Sequence, residues 1–498
     1  MKKYFSEKYF LYRYSDRKKF IYLLLVILLV SGISGGCGNA EEIMSESVAG
    51  VEDSEQQPGD GSSVQGEDSS EGAENASGAE TDGMNGTVRQ DDSSNADKDN
   101  ADAAKSDEQK NTAAQGDGED AEVIARRDPV KVKGIYVSGP VAGIAKMDTL
   151  IDLVDRTELN AMVIDIKNDE GKVTYKMQSN QVLEIDAGVS YIGDIEELVS
   201  KCKEKDIYLI ARIVAFRDPY LAEQKPEWAV HTKDGDIFRD KSGLAWVNPY
   251  KREMWDYLLE IASQAGQAGF DEIQFDYIRF STDIKEEEVD YGDEAEGIGK
   301  IEIITEFTEY MYENLVPQGV YVAADVFGTV IDNETDQAIV GQDYVQMAQY
   351  LDYICPMVYP SHYYGGSYGI SIPDAEPYNT IYAAASSSVQ ELKAVPEGDC
   401  AHVRLWLQGF TASWVPGHIS YGREEIRAQI KGAYDAGYDE WIVWNAAVNY
   451  QPEAFLTDAE AETERQQWDV ERQEAEKQQE DMEMQESEKQ QETVSGNE

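Results

Sequence analysis

The chain has 498 residues and a formal net charge of −54, with 97 acidic against 43 basic side chains. This charge excludes nucleic acid as a partner, because phosphate binding needs a clustered basic surface. Residues 38–128 hold almost no large apolar side chains, so they cannot offset the entropy lost on folding, which predicts a disordered acidic linker. Residues 457–498 are rich in Glu and Gln, which predicts a charged tail. Residues 129–456 remain as the expected folded core.

The first 37 residues have the pattern of an export signal. Basic residues precede an apolar run from Phe20 to Val30, which is shorter than the roughly 20 residues of a membrane span. Small residues then lead to Cys37, an arrangement that resembles a bacterial lipoprotein signal except that Ser34 stands where Leu is usual. We expect lipidation at Cys37 and a location on the extracellular face of the membrane. An uncleaved membrane anchor and ordinary secretion are the alternatives.

Beyond Pro129, short apolar runs alternate with longer segments of helical period. The runs predicted as strands are, in chain order, 132–137, 161–166, 207–214, 272–275, 320–324, 353–358, 404–407 and 441–444. The segments predicted as helices are 147–157, 192–205, 250–268, 301–315, 341–351 and 423–436. Two long loops are expected at 216–249 and 360–395. Strand–helix alternation repeated eight times predicts a closed (β/α)8 TIM barrel of parallel strands, in the α/β class.

Charged residues collect where these strands end, which is where active sites lie on this fold. Asp276 and Asp325 end neighbouring strands and, by period-two alternation, face the barrel interior. Glycosidic cleavage needs such a pair of carboxyl groups, one as acid and one as nucleophile or base. We predict Asp325 as the general acid and Asp276 as the other carboxylate. A buried ion pair is the alternative for any one of these aspartates, for example Asp165 with Arg212.

Further polar and aromatic side chains at the strand ends are candidates for binding a sugar. Aromatic rings stack on the flat C–H faces of sugars, while charged and amide groups bond the hydroxyls. The predicted substrate-binding residues are Asp165, Lys167, Arg212, Arg279, Tyr359, Gln408, Trp414 and Trp444. Core packing is the alternative for Trp444, because a shift of one residue in register reverses its face. The scattered His and Cys residues predict no metal site, and no cofactor is expected.

Several motifs resemble one family. The run WVNPYKREMWDYLLEIASQAGQAGFDEIQFDYIRF at 246–280 resembles the signature of the glycoside hydrolase domain of bacterial surface proteins. ADVFG at 324–328 and EWIVWNAAVNY at 440–450 are similar to the same family, which implies a glycosidase-like TIM barrel. GFDEIQFDYI is more distantly similar to the fourth-strand signature of family-18 chitinase barrels. Ile278 stands where their acid Glu would be, so their mechanism is not carried over.

Three functions follow from the sequence. The first is a glycoside hydrolase that acts on an extracellular or cell-envelope polysaccharide and is anchored to the membrane by its N-terminus. The second is a non-catalytic carbohydrate-binding surface barrel, which the loss of the chitinase-type Glu favours. The third is an envelope scaffold whose acidic tails make the contacts. We expect a monomer in each case.

Overall fold

The computed structural model describes residues 127–396, 398–474 and 477. Cys37, the export signal and the acidic linker up to residue 126 lie outside these residues. Within the described part of the chain, no helix combines the length and the apolar character that crossing a membrane requires.

Eight parallel strands close into a barrel, which confirms the predicted (β/α)8 fold. Each strand pairs with its neighbours in chain order, and the last strand pairs with the first. Met357 on the sixth strand lies opposite Trp406 on the seventh. The strands are β1 (Lys133–Val137), β2 (Ala161–Lys167), β3 (Tyr208–Val214), β4 (Glu272–Asp276), β5 (Tyr321–Phe327), β6 (Tyr353–Met357), β7 (Leu405–Gln408) and β8 (Trp441–Trp444). They are buried almost throughout, as the continuous apolar runs predicted. The short strand His402–Val403 pairs with β6 in the barrel sheet just before β7. The short strands His231–Thr232 and Val289–Asp290 pair with each other outside the barrel.

Helices lie between the strands of the barrel. They are α1 (Gly139–Ala142), α2 (Lys146–Asp155), α3 (Asn180–Glu184), α4 (Ile195–Lys203), α5 (Pro219–Gln224), α6 (Glu253–Gln267), α7 (Lys300–Leu315), α8 (Glu334–Val340), α9 (Tyr344–Met347), α10 (Pro377–Leu392) and α11 (Arg423–Asp435). The amphipathic segments predicted at α2, α4, α6, α7 and α11 are thus helical.

Two connections differ from expectation. The stretch 360–395, expected as a loop, contains the sixteen-residue helix α10. Its Ala and Ser residues give a weak apolar stripe, yet they allow close packing on α11, where a Cβ added to Gly432 would lie 2.8 Å from the Tyr378 carbonyl oxygen. The helix predicted at 341–351 is reduced to α9 and a following 3₁₀ turn, because Gly341 adopts φ +82° and ends α8.

Residues 458–474 form a twelfth helix, α12, so the folded region extends past residue 456, its expected end. It has no sustained apolar stripe, and it packs on α11 through a few specific contacts. The Trp468 ring lies 6.0 Å from that of Tyr434, and Arg427 Nε donates to Glu464 at 2.9 Å.

A buried ion cluster closes the barrel at the N-terminal ends of its strands. Arg404 is fully buried, donates to Glu272 at 2.7 Å and to Glu440 at 3.1 Å, and lies with its Cζ 3.9 Å from the centre of the Tyr353 ring. Burial raises the pKa of Glu272 to about 7, although Arg404 opposes this shift. This end of a TIM barrel serves stability.

Candidate active site

A cavity opens at the opposite end, where the strands end. Side chains from β4 to β8 and from the loops that follow β3 to β6 line it. They are Arg217, Asp276, Tyr277, Arg279, Asp325, Phe327, Gly328, Thr329, Met357, Tyr359, His362, Tyr363, Trp406 and Trp444. Both predicted catalytic aspartates therefore face one cavity, together with three of the predicted sugar-binding residues.

Asp276 is held by a buried arginine. Arg212 on β3 donates to Asp276 at the end of β4 through Nε at 2.9 Å and Nη2 at 2.6 Å. The same guanidinium contacts Asp165 at 2.8 Å and Asp169 at 3.3 Å, and only 1% of Arg212 is exposed. Register brings these groups together, because Asp165 on β2 lies beside Arg212. A two-point ion pair of this kind stabilises the negative charge of Asp276.

Asp325 has a contrasting environment. Burial, and then the negative charge of Asp276, raise the pKa of Asp325 well above the usual range, although hydrogen bonds from Trp406 and Gln274 oppose the shift. Both donors reach the same oxygen: Trp406 Nε1 donates to Oδ1 at 2.6 Å, and Gln274 Nε2 donates to it as well. Oδ2 is therefore the oxygen left to carry the proton. Two carboxyl groups thus lie in one cavity in contrasting environments, one paired with a guanidinium and one buried with a raised pKa.

Asp165 lies beneath the cavity and not in its wall. Tyr136 Oη donates to it at 2.5 Å, and Arg212 donates from the other side. Burial and nearby Asp169 raise the pKa of Asp165 to about 6, while Arg212 lowers it. Asp165 and Arg212 therefore form the buried ion pair that was the alternative interpretation, and they support Asp276 from below.

Three of the predicted sugar-binding side chains line the cavity. Trp444 is 8% exposed and packs with its ring 4.1 Å from that of Tyr136, so the register of β8 turns it inward. Tyr359 follows β6, and Arg279 follows β4, with its guanidinium 4.2 Å from the centre of the Phe327 ring.

Lys167 and Gln408 do not reach the cavity, which corrects the expectation that they orient the sugar. Lys167 is fully buried and pairs with Asp218 at 2.7 Å, which ties β2 to the loop after β3. Gln408 is also fully buried, and its amide bonds Asp374 at 2.9 Å and the Ser361 backbone N–H at 3.0 Å. Both residues hold loops around the mouth.

Trp414 lies outside the cavity wall. It is 47% exposed on the loop after β7, and its ring stacks on that of Phe410 at 6.0 Å.

Nine of the fourteen residues that line the cavity were not among the predicted site residues, and three of these nine bear on the chemistry. Trp406 shares a strand face with Gln408, and this alternation was the available signal for its inward position. Tyr277 adopts φ +52°, and its backbone N–H donates to Asp276 at 2.6 Å, so it fixes the second oxygen of that carboxylate. His362 lines the cavity, and burial lowers its pKa to about 4, so it is neutral at physiological pH.

Within the residues that the structure describes, no cluster of three or more His, Cys, Asp or Glu side chains is arranged to hold a metal ion.

A (β/α)8 barrel with two carboxyl groups at its mouth is an arrangement on which glycosidases are built. The family model described as "Putative glycosyl hydrolase domain" matches residues 134–450, more than half of the chain. The chain belongs to this family and is a glycosidase.

Among solved structures, the chain is similar to a hypothetical protein from Ruminiclostridium thermocellum, with 40% identity over 39% of this chain and 97% of that one, at a TM-score of 0.36. It is also similar to the PgaB (BpsB) glycoside hydrolase domain from Bordetella bronchiseptica, with 13% identity over 64% and 94% of the two chains, at a TM-score of 0.47. The spore cortex-lytic enzyme SleL of Bacillus megaterium is 12% identical over 66% and 74%, at 0.39. No curated protein matches the sequence. None of these likenesses defines a substrate for this chain.

Proposed function

We propose that the chain hydrolyses an extracellular or cell-envelope polysaccharide, with Asp325 as the general acid and Asp276 as the nucleophile or base. One observation carries this proposal: two aspartates that face the same cavity have opposite environments. Arg212 stabilises charge on Asp276, whereas burial raises the pKa of Asp325 and keeps its proton in place.

In this mechanism, Asp325 Oδ2 gives its proton to the glycosidic oxygen as the bond to the anomeric carbon breaks. The negative charge that then forms on Asp325 is stabilised by the N–H groups of Trp406 and Gln274, which are already aimed at Oδ1. Asp276 faces the positive charge that develops at the anomeric carbon, and it either bonds to that carbon or activates a water.

Aromatic rings would hold the sugar between these carboxyl groups. Trp444 and Tyr359 offer faces for stacking, and Arg279 offers N–H groups to sugar hydroxyls. The buried ring of Trp406 makes the base of the cavity apolar, which supports the raised pKa of Asp325.

The test is release of new reducing ends by the full-length protein from a panel of bacterial envelope and biofilm polysaccharides. We expect release by the wild type and a loss of at least about 100-fold in Asp325→Asn and Asp276→Asn. Asp352→Asn is the matched control. Asp352 is a buried aspartate directly before β6, and it accepts a hydrogen bond from the Val322 backbone N–H on β5. Release that survives both catalytic substitutions would overturn the assignment.

A non-catalytic carbohydrate-binding barrel is the second candidate, and Ile278 favours it because this buried residue replaces the chitinase-type acid. This candidate predicts saturable binding of a glycan without release of reducing ends, and equal binding by Asp276→Asn.

We also propose that the N-terminal signal exports the chain and that lipid on Cys37 anchors it to the membrane as a monomer. Labelled palmitate should enter the wild-type chain and be absent from Cys37→Ser. Sedimentation in detergent should give the mass of one chain. Equal labelling of both chains would contradict lipidation at this residue.

A further inference from the structure

An aromatic surface extends from the cavity to the rim of the barrel. Phe410 and Trp414, on the loop between β7 and α11, form this surface, which we call the rim platform. Their rings are nearly parallel, at 22° and 6.0 Å. Trp414 is 47% exposed, and among the described residues it is the one tryptophan that presents so much of its surface to solvent.

The rim platform is continuous with the cavity. The Phe410 ring lies 6.0 Å from that of Tyr359 and 6.4 Å from that of His362, and both of these residues line the cavity. Aromatic rings therefore lead from the wall of the cavity, at Tyr359 and His362, to Trp414.

The loop that presents Trp414 is firmly attached to the barrel. Asp374 is fully buried and accepts hydrogen bonds from Gln408 Nε2 at 2.9 Å and from the Ile419 backbone N–H at 3.3 Å. Tyr421 Oη donates to the Asp374 carbonyl oxygen at 3.0 Å. Exposure of a tryptophan costs free energy that a mobile loop would recover by folding the ring inward. A fixed loop holds Trp414 outward, as a pre-formed binding site does.

We propose that the rim platform is a second sugar-binding position of the same active site, and that the substrate is a polymer that spans the cavity and Trp414. This inference rests on the proposed glycoside hydrolase function. The ligand at the platform is a pyranose whose flat C–H face stacks on the exposed indole. Because Phe410 supports the indole from behind, only the outer face of Trp414 binds sugar.

The test compares, for each of three linkages, the binding of a short and a long oligosaccharide. Disaccharides and hexasaccharides of β-1,4-glucose, β-1,3-glucose and β-1,4-N-acetylglucosamine are titrated into full-length protein that carries Asp325→Asn, so that no turnover occurs. We expect at least one hexasaccharide to bind more tightly than its disaccharide. Trp414→Ala should weaken hexasaccharide binding at least about tenfold, and Trp414→Phe should restore part of it.

Tyr382→Ala is the matched control. Tyr382 is 43% exposed and stacks on Tyr378 at 6.0 Å and 7°, but it lies on the outer helix α10. This substitution should leave binding of both lengths unchanged. The inference is overturned if no hexasaccharide binds more tightly than its disaccharide, or if Trp414→Ala leaves that advantage intact. Release of reducing ends by the wild type would then still support the hydrolase.

Discussion

At the scale of single residues, the site combines Asp276, which is paired with a guanidinium, with Asp325, whose pKa burial raises. Asp325 is 2% exposed, and it has Asp276 for a neighbour, so ionisation would put a negative charge at a buried position beside another carboxyl group. Folding therefore retains a proton on Asp325 that an ordinary aspartate loses near pH 4. Retaining this proton at neutral pH lowers the free energy of unfolding, and a side chain that cannot ionise would avoid that loss.

We predict that Asp325→Asn abolishes hydrolysis and stabilises the fold at neutral pH, because the amide keeps the acceptor for Trp406 and Gln274 and has no proton to retain. The raised pKa makes the wild type lose stability as pH rises from about 4 towards the folded-state pKa. The variant should therefore match the wild type near pH 3 and exceed it by at least about 1 kcal/mol at pH 7. Urea unfolding at pH 3 and at pH 7 measures the free energies of unfolding of the variant and the wild type. The same difference between the two proteins at both pH values would contradict the prediction.

Arg212 pairs with three carboxylates, and two of them, Asp165 and Asp276, are buried. Replacement by Met leaves these two carboxyl groups buried without the guanidinium that pairs with them, so we predict a loss of about 3–5 kcal/mol in the free energy of unfolding at pH 7. Acid should reduce this deficit, since protonation removes the repulsion. Thermal unfolding from pH 4 to pH 7 tests the claim, and a deficit that does not change with pH would refute it.

At the scale of elements, the ends of the barrel have separate tasks. The Arg404 cluster joins β4 to the residues before β7 and β8, far along the strands from the carboxyl groups at the mouth. Arg404→Met leaves Glu272 and Glu440 buried without a cation. We predict a loss of about 3–5 kcal/mol in stability with kcat of the folded fraction within about twofold of the wild type. Denaturant midpoints measure the change in stability, and rates of hydrolysis at low temperature measure kcat. A large fall in kcat would contradict the assignment of stability and catalysis to opposite ends of the barrel.

The sequence predicts the elements well where burial is continuous and less well where packing is local. All eight strands are predicted from apolar runs. The helix α10 is missed because its small Ala and Ser residues give a weak apolar stripe, and their role in close packing on α11 is visible only in the folded structure. Period-two alternation identifies Asp276 and Asp325 as inward-facing residues. The same alternation predicts that Lys167 faces the barrel interior, but it does not predict that Lys167 is buried away from the cavity. Its partner Asp218 comes from a loop whose path depends on the folded barrel.

At the scale of the whole molecule, the acidic C-terminal region contributes to the fold as well as to the charge. Part of it forms α12, and Trp468 lies against Tyr434 on α11. We predict that a chain ending at Leu456 unfolds with about 1–3 kcal/mol less free energy than one ending at Lys477, because it exposes this aromatic contact and loses the Arg427–Glu464 pair. Denaturant unfolding of the two chains decides the matter, and equal midpoints would show that α12 adds nothing.

Near the mouth, β6 and β7 share one pair in register, Met357 opposite Trp406. Towards the other end of the barrel, His402 and Val403 continue this seam opposite Tyr353 and Ile354. The Trp406 side chain at this seam also donates to Asp325. Thermal breathing that opens this pair at the mouth withdraws the Trp406 donor from the acid while the remaining pairs of the barrel stay bonded. On warming, hydrolysis should therefore fade before the barrel melts.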